Sequence, residues 1–342
     1  MIWPAEDIWQ SCVPLLPALT VEVLKEVDST NSELMRRARA GQTDPVLLVA
    51  KSQTAGRGRL GRQWHAQAGD ALTFSLGLML HPADWSGLSL AVGLSVVESL
   101  DPQGTLGLGL KWPNDVWVLH NSKRWTKLAG ILIETSITQK GERYCVIGVG
   151  VNIAKPNVQD LSIPAIGLRD LSEAAAAKAS ATKVSVPPPT APQALAMIAQ
   201  PLLGAVLAFE SKGFAPLQSA FQQRDVLRDM PVTLSDGRQG TARGVDNTGV
   251  LRVETPQGMQ LINSAEVRVR PSIEGVRMSS KTVWRNVAFL LVLANLMFWL
   301  WSQGYLQVAG MGPKSVQEPL RLKEQVEPKA LTIQSAASQE SK

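Results

Sequence analysis

Arg57, Arg59 and Arg62 are interleaved with Gly56, Gly58 and Gly61 in KSQTAGRGRLGRQW, residues 51–64. A guanidinium is a planar fork of donors that can grip phosphate or carboxylate through two bonds at once, and glycines let the backbone fold closely over a ligand. The stretch follows the apolar run PVLLVAKSQ. That run reads as a buried strand, so the arginines leave a strand's carboxyl end, where ligands of open sheets collect. By itself the stretch suits a phosphorylated small molecule, a nucleic acid strand or plain solvent. Sequence-tolerant binders of single strands interleave several aromatic rings with their cations. Here Trp64 is the one ring in the stretch, which disfavours nucleic acid.

Four other stretches hold polar groups at the ends of apolar runs. In DSTNSELMRRA, residues 28–38, Thr30 followed by Glu33 has the spacing of a capping box, so a helix should start here. Ser29, Thr30 and Asn31 then either cap that helix or offer hydroxyl and amide groups to a polar ligand. In KWPNDVWV, Asn114 and Asp115 follow Pro113 and precede a strand-like run. They form an ordinary turn, or supply oxygen ligands to a nucleotide's Mg²⁺, which takes one or two protein groups and keeps waters and phosphates for the rest. In KLAGILIE, Lys127 leads into a strand so apolar that its ammonium should sit at the mouth. It is either a snorkelling end cap or the charge of a site. VIGVGVNI closes an apolar run with Asn152, and its glycines admit a close neighbour.

The elements that must position these groups follow from the hydrophobic pattern. From residue 21 to about 153, VEVLKEV, PVLLVA, ALTFSLGLML, LAGILIE and YCVIGVGVNI are short β-rich runs, while SGLSLAVGLSVVESL has the length and spacing of a helix. The fold class is α+β, with a catalytic-type domain over residues 1–224. Residues 171–192, an alanine block and then three prolines, read as a surface insertion, because the helical pattern PQALAMIAQPLLGAVLAFE resumes at once. Over 225–271 five β-rich runs separated by DG, NTG and QG turns predict a small all-β barrel.

A chain of 342 residues, 45% hydrophobic, can bury a sizeable core. The net charge of +5 comes from 34 Lys+Arg against 29 Asp+Glu, a mild excess rather than a coat for polyanions. Two distant cysteines and three scattered histidines disfavour a disulfide scaffold and a zinc site. MIWPAEDIWQ lacks the layout of a secretion signal, so the body is expected in the cytoplasm. After a basic linker, 272–286, the run VAFLLVLANLMFWLW is apolar apart from Asn295 and is preceded by Lys281 and Arg285. With the interfacial SQGYL it approaches one bilayer thickness, so 287–306 is expected to be a transmembrane helix that leaves the body on the cytoplasmic face of the membrane. Residues 307–342 read as a weakly structured tail.

Taken in order, DSTN, QTAGRGRLGRQW, KWPNDVWV, KLAGILIE and GVGVNI, followed by a β-rich module, closely resemble the biotin protein ligases from about residue 20 to 271. The resemblance implies a mixed-sheet catalytic domain flanked by helices, and a C-terminal SH3-like barrel. It implies activation of biotin by ATP to biotinyl-5′-AMP with release of pyrophosphate. Transfer to a lysine of a biotin carboxyl-carrier protein would follow. Carried over by motif, Ser29, Thr30, Asn31 and Gln53, with Arg57, Gly58 and Arg59, would hold biotin. Lys127 would meet its carboxylate and the α-phosphate, with Arg57 and Arg59 as catalytic partners. Arg62, Trp64, Lys111, Asn114, Asp115 and Asn152 would bind ATP, with Asn114 and Asp115 on Mg²⁺. About 20 residues precede the first strand, too few for a winged helix-turn-helix, so no specific DNA binding is expected. The resemblance allows a homodimer. A lipoate ligase of related fold and a membrane-tethered RNA-binding module are the rival readings.

Overall fold

Runs of β-branched and aliphatic residues bounded by Gly, Pro and charge form the first sheet. The structure, a computed structural model, describes residues 2–64, 67–120, 124–138, 141–156, 164–178, 188–234, 237–263, 270–271, 295–300 and 302–303. Seven strands, β1 (Thr20–Leu24), β2 (Val46–Ala50), β3 (Ala71–Met79), β4 (Leu108–Lys111), β5 (Asp115–His120), β6 (Arg124–Ile137) and β7 (Arg143–Asn152), lie in the order β1-β2-β3-β7-β6-β5-β4. β1 runs parallel to β2 and every other neighbouring pair is antiparallel, so the sheet is mixed. β6 outruns β5: its residues up to Gly130 have β5 partners, whereas the ladder with β7 continues to Ile137.

Alternation along the strands gives the sheet two unlike faces. One carries Leu47, Val49, Leu72, Phe74, Leu76, Ile131, Ile147 and Val149, all within the main buried core. Against that core pack α1 (Ala5–Cys12), α3 (Leu88–Leu100) and α5 (Ala191–Lys212). α5 is long and apolar enough to cross a membrane, but Leu195, Ile198, Leu202, Val206 and Phe209 recur at helical spacing and are buried, as in a core helix. The other face meets α2 (Thr30–Arg39) through a smaller cluster of Leu34, Met35, Ala38, Val46, Leu48, Tyr144 and Val146. α4 (Leu168–Lys178) and α6 (Gln218–Arg224) are further helices among the described residues of this part.

The β-rich C-terminal runs form a second, five-stranded sheet of β8 (Pro231–Thr233), β9 (Gln239–Val245), β10 (Leu251–Thr255), β11 (Gly258–Ile262) and β12 (Arg270–Pro271), ordered β11-β10-β9-β8-β12 and antiparallel throughout. Val232, Ala242, Val245, Leu251, Val253 and Ile262 belong to the same core as the large sheet. Trp112 Nε1 donates to Gly249 O across 3.0 Å and ties the two sheets together. The α+β class is therefore as expected.

Two local expectations need correction. The N-cap of α2 is Ser29, whose hydroxyl accepts from Ser32 N, and not Thr30. No Thr30–Glu33 capping box forms, because the Thr30 hydroxyl turns toward Gln53 and Ser75, and Glu33 pairs with Arg36 and Arg37. Lys127 lies inside β6 and not at its mouth, since pairing with β5 begins at Arg124. Within the stretch expected as an insertion, 171–192, α4 runs to Lys178 with Leu171 buried and α5 starts at Ala191, while 179–187 lie outside the described residues. Residues 274–342 form a separate unit. Within it 295–300 are helical, and the rest of the expected span at 287–306, apart from 302–303, lies outside the described residues, as do the tail and most of the linker.

Asp225, the C-cap of α6, bridges to Leu110 of β4. Its Oδ1 accepts from Leu227 N at 2.9 Å, while Oδ2 has no hydrogen-bond partner among the described residues. Burial pushes its carboxyl up from 3.8 to about 6. The native state therefore holds this proton more tightly than the unfolded chain. Stability from this residue is present at low pH and is lost as pH rises through the window between those values. Asp225→Asn is expected to stabilise the fold at about pH 8 by on the order of 1–3 kcal/mol, read as a higher Tm, and to change Tm much less at about pH 4. Melting curves at both pH values check this, and equal shifts at the two would contradict it.

Candidate functional site

The register of three central strands lines up small side chains on the α2 face. Thr73 pairs with Gly150 and Ser75 with Gly148 across β3 and β7, and Gly130 pairs with Gly150 and Leu132 with Gly148 across β6 and β7. Lacking large side chains, this strip is a trough, roofed at one end by α2 and at the other by the arginine–glycine loop. It encloses about 460 Å³ including its open mouth. A Cβ on Gly148 would collide with the Asn31 side chain, and one on Gly150 with the Trp64 ring. The glycines are what leave room for both.

At the α2 end the polar groups are neutral and buried. Ser29, Thr30 and Asn31 are each 3% exposed. Gln53 Oε1 accepts from Thr30 N at 2.7 Å and from Thr30 Oγ1 at 3.1 Å. The Ser75 hydroxyl lies 2.7 Å from Thr30 Oγ1 and 2.6 Å from Asn31 Oδ1. Asn31 Nδ2 donates to Leu132 O and to Glu134 Oε2, both at 3.1 Å. Burial makes each of these bonds costly to leave unmade, so the cluster holds its donors and acceptors in fixed directions.

The other end is cationic. Lys127 Nζ pairs with Asp115 Oδ1 at 2.6 Å and stands 5.8 Å from the centroid of the Trp64 ring. Arg59 Nη1 donates to Asn114 Oδ1 at 3.3 Å, and Asn114 Nδ2 donates to Ile131 O at 2.8 Å. Behind them, Lys111 is 7% exposed, donates to Trp112 O at 3.3 Å and lies over the Trp117 ring. Burial pulls its ammonium down to about 8, against the pull of the Asp115 carboxylate. Burial likewise lowers the Arg59 guanidinium. These cations thus sit where charge is poorly solvated, which strengthens their attraction for an incoming anion.

The loop that carries the arginines is folded back on itself. Gly58 N donates to Arg62 O, Trp64 N donates to Gly56 O, and Arg57 bridges to Gln63. Its tip turns through positive φ at Leu60 and Gly61, a conformation a glycine adopts without penalty. Arg57 reaches out of this hairpin to Glu134, with Nη2–Oε1 at 3.0 Å and Nη1–Oε2 at 3.2 Å.

Ser29, Thr30, Asn31, Gln53, Arg57, Gly58, Arg59, Trp64, Asn114 and Lys127 all line the one trough. Asp115 touches it through Lys127. Arg62 is exposed on the loop, while Lys111 and Asn152 stand behind the lining; Asn152 Nδ2 faces Lys127 O at 3.4 Å. Thr73, Ser75 and Glu134 were not anticipated. Thr73 and Ser75 are two polar residues at alternate positions of an otherwise apolar strand, and that spacing was a legible sign of a polar strip on one face. Glu134 had no such sign, since its partners Asn31 and Arg57 are remote in sequence.

Residues 23–152 match the biotin/lipoate A/B protein ligase family, and residues 231–270 match the biotin protein ligase C terminal domain. The bifunctional ligase/repressor BirA of Escherichia coli (strain K12) is 33% identical over 240 residues, covering 69% of this chain and 69% of the relative. The biotin–[acetyl-CoA-carboxylase] ligase of Paracoccus denitrificans is 32% identical over 267 residues, covering 72% of this chain and 98% of that one. A solved structure of the biotin protein ligase from Aquifex aeolicus in complex with biotin and ATP superposes with a TM-score of 0.58 at 26% identity, over 74% of this chain and 99% of that one. The chain belongs to the biotin protein ligases.

Proposed function

We propose that this enzyme activates biotin with ATP and transfers it to a lysine of a biotin carboxyl-carrier protein. The observation that carries the mechanism is the division of the trough into a neutral hydrogen-bonding end and a cationic end. A ureido ring offers two N–H donors and one carbonyl acceptor, which suits Ser29, Thr30, Asn31 and Gln53. The valerate chain would run along the glycine strip and bring its carboxylate to Lys127.

In the first half-reaction a carboxylate oxygen attacks the α-phosphorus and pyrophosphate leaves with the electron pair of the broken P–O bond. Both reactants are anions, so their approach requires fixed positive charge. Lys127 and Arg59 supply it from groups already held in place, without reorganisation. Asp115 orients the Lys127 ammonium, and Lys111 adds charge from behind. Arg62 and Trp64, on the loop, would close over the nucleotide, with Asn114 at its phosphates. We assign Asn152 to the support of β6 at Lys127. In the second half-reaction the acceptor amine attacks the acyl carbon, AMP leaves, and the amine loses its proton.

A magnesium ion held by the protein at Asn114 and Asp115 fits poorly. Asn114 Oδ1 faces Arg59 and Asp115 Oδ1 faces Lys127, so each of these two oxygens already meets a cation. We therefore take Mg²⁺ to arrive as part of the nucleotide substrate, coordinated by its phosphates and water. For the five antiparallel strands after Asp225 we propose closure into an SH3-like barrel.

Biotin-dependent exchange of pyrophosphate into ATP by the purified chain tests the reading. Exchange supported by lipoate but not by biotin would instead assign it to the related lipoate class.

A second proposal concerns residues 287–306. Leu296, Met297, Phe298 and Trp299 are exposed by 51%, 51%, 64% and 52% within a helical stretch. Successive helix positions are about 100° apart, so four apolar neighbours cover the whole circumference. A helix apolar on every side suits lipid. We propose that this segment associates with a bilayer, tested by fractionating cells and washing the membranes at alkaline pH. Recovery of the intact chain in the soluble fraction before the wash would refute the association, and its release by the wash would refute a span.

A further inference from the structure

We propose that Glu134 is a positioning residue that latches the arginine–glycine loop shut over the trough. The proposal rests on the ligase reading above. Its carboxylate does two things at once. Both oxygens meet the Arg57 fork, Oε1 to Nη2 at 3.0 Å and Oε2 to Nη1 at 3.2 Å, while Oε2 also accepts from Asn31 Nδ2 at 3.1 Å. One group on β6 thus joins the loop to the neutral α2 end of the cavity. Ser32 Oγ, on α2, takes a third bond from Arg57 Nη1 at 3.3 Å, so the guanidinium is drawn to the rim.

This arrangement assigns Arg57 a different task from Arg59. The Arg57 guanidinium is held by the carboxylate, and Arg57 and Gly58 both line the trough. Isolated surface ion pairs contribute little. This one is two-pronged, with the carboxylate 23% and the guanidinium 47% exposed, so its geometry gives direction while salt still screens it. Its loss should open the loop more often and should not disable the chemistry of Lys127.

The test is retention of pre-formed adenylate, followed by chase from the purified full chain. Glu134→Gln keeps a carbonyl acceptor for Asn31 and removes the charge that holds Arg57. It is expected to release adenylate roughly three- to tenfold faster than wild type, with a smaller change in the rate of adenylate formation at saturating biotin. Raising ionic strength should speed release from wild type and have little effect on Glu134→Gln, because the screened pair is already gone. In an Arg57→Gln background the Glu134→Gln effect should vanish, and Arg57→Gln alone should reproduce it if the glutamate variant folds poorly. Wild-type retention and salt response in both single variants would overturn the latch, as would an undiminished Glu134→Gln effect in the Arg57→Gln background. Failure of wild type to form adenylate would overturn the ligase reading itself.

Discussion

Lys127→Met should abolish most biotin-dependent pyrophosphate exchange, by roughly 10²–10³-fold, the usual cost of deleting one preorganised charge from a site where charge develops. Methionine preserves the volume and the apolar stem, so what is lost is the ammonium 2.6 Å from Asp115. That partner complicates the reading. The Asp115 side chain is only 9% exposed, and deprived of its cation it should destabilise the fold by about 1–3 kcal/mol. The double variant Lys127→Met/Asp115→Asn removes both charges and should recover Tm without recovering exchange. Because Lys127 lies within β6 and is paired on both sides of its backbone, its mutation is expected to affect stability more than a strand-end residue would. Exchange that returned together with Tm in the double variant would take Lys127 out of the chemistry and leave it a structural cation.

Gly148→Ala should remove biotin affinity at the opposite end of the trough. β7 is extended there, so alanine meets no backbone penalty. The added methyl group instead meets the Asn31 side chain. Asn31 cannot retreat cheaply, because its amide is committed to Leu132 O and Glu134 and its carbonyl lies beside Ser75. Overpacking of this kind typically costs about 1–3 kcal/mol in stability. The larger expected effect is on biotin, whose KM should rise by roughly 100-fold through loss of shape and of the Asn31 amide. The KM for ATP should stay near wild type. An unchanged biotin KM with a lowered Tm would place the head group elsewhere.

Much of this was legible in order and type, and much less in contact. The strands other than β4, with α3, α5 and the five β-rich C-terminal runs, follow from apolar periodicity and turn residues, because those signals are local. Ten of the residues picked for chemistry line one trough, because motifs at strand ends converge when the strands are neighbours. What the chain could not disclose was pairing. The sharing of Gln53 by two Thr30 donors, the burial of Lys111 behind its neighbours and the meeting of Arg57 with Glu134 all depend on sheet order, which alternation along one strand does not encode. The capping box failed for a related reason. Thr30 has the right spacing to Glu33, yet a tertiary hydrogen bond to Gln53 outcompeted the local one, leaving Ser29 as the cap.

The junction of β3 and β7 bears on how the protein comes to fold. Their ladder joins Ala71 to Asn152 and Met79 to Tyr144, bringing together stretches that leave the ribosome far apart. Such non-local pairing forms late, since the intervening chain must lose its freedom before any contact rewards it. The strip of Thr73, Ser75, Gly148 and Gly150 exists only once that ladder has closed. A nascent or partly folded chain therefore has its lysine and arginines but no trough to hold a reactive acyl adenylate. Competence arrives with completion of the sheet.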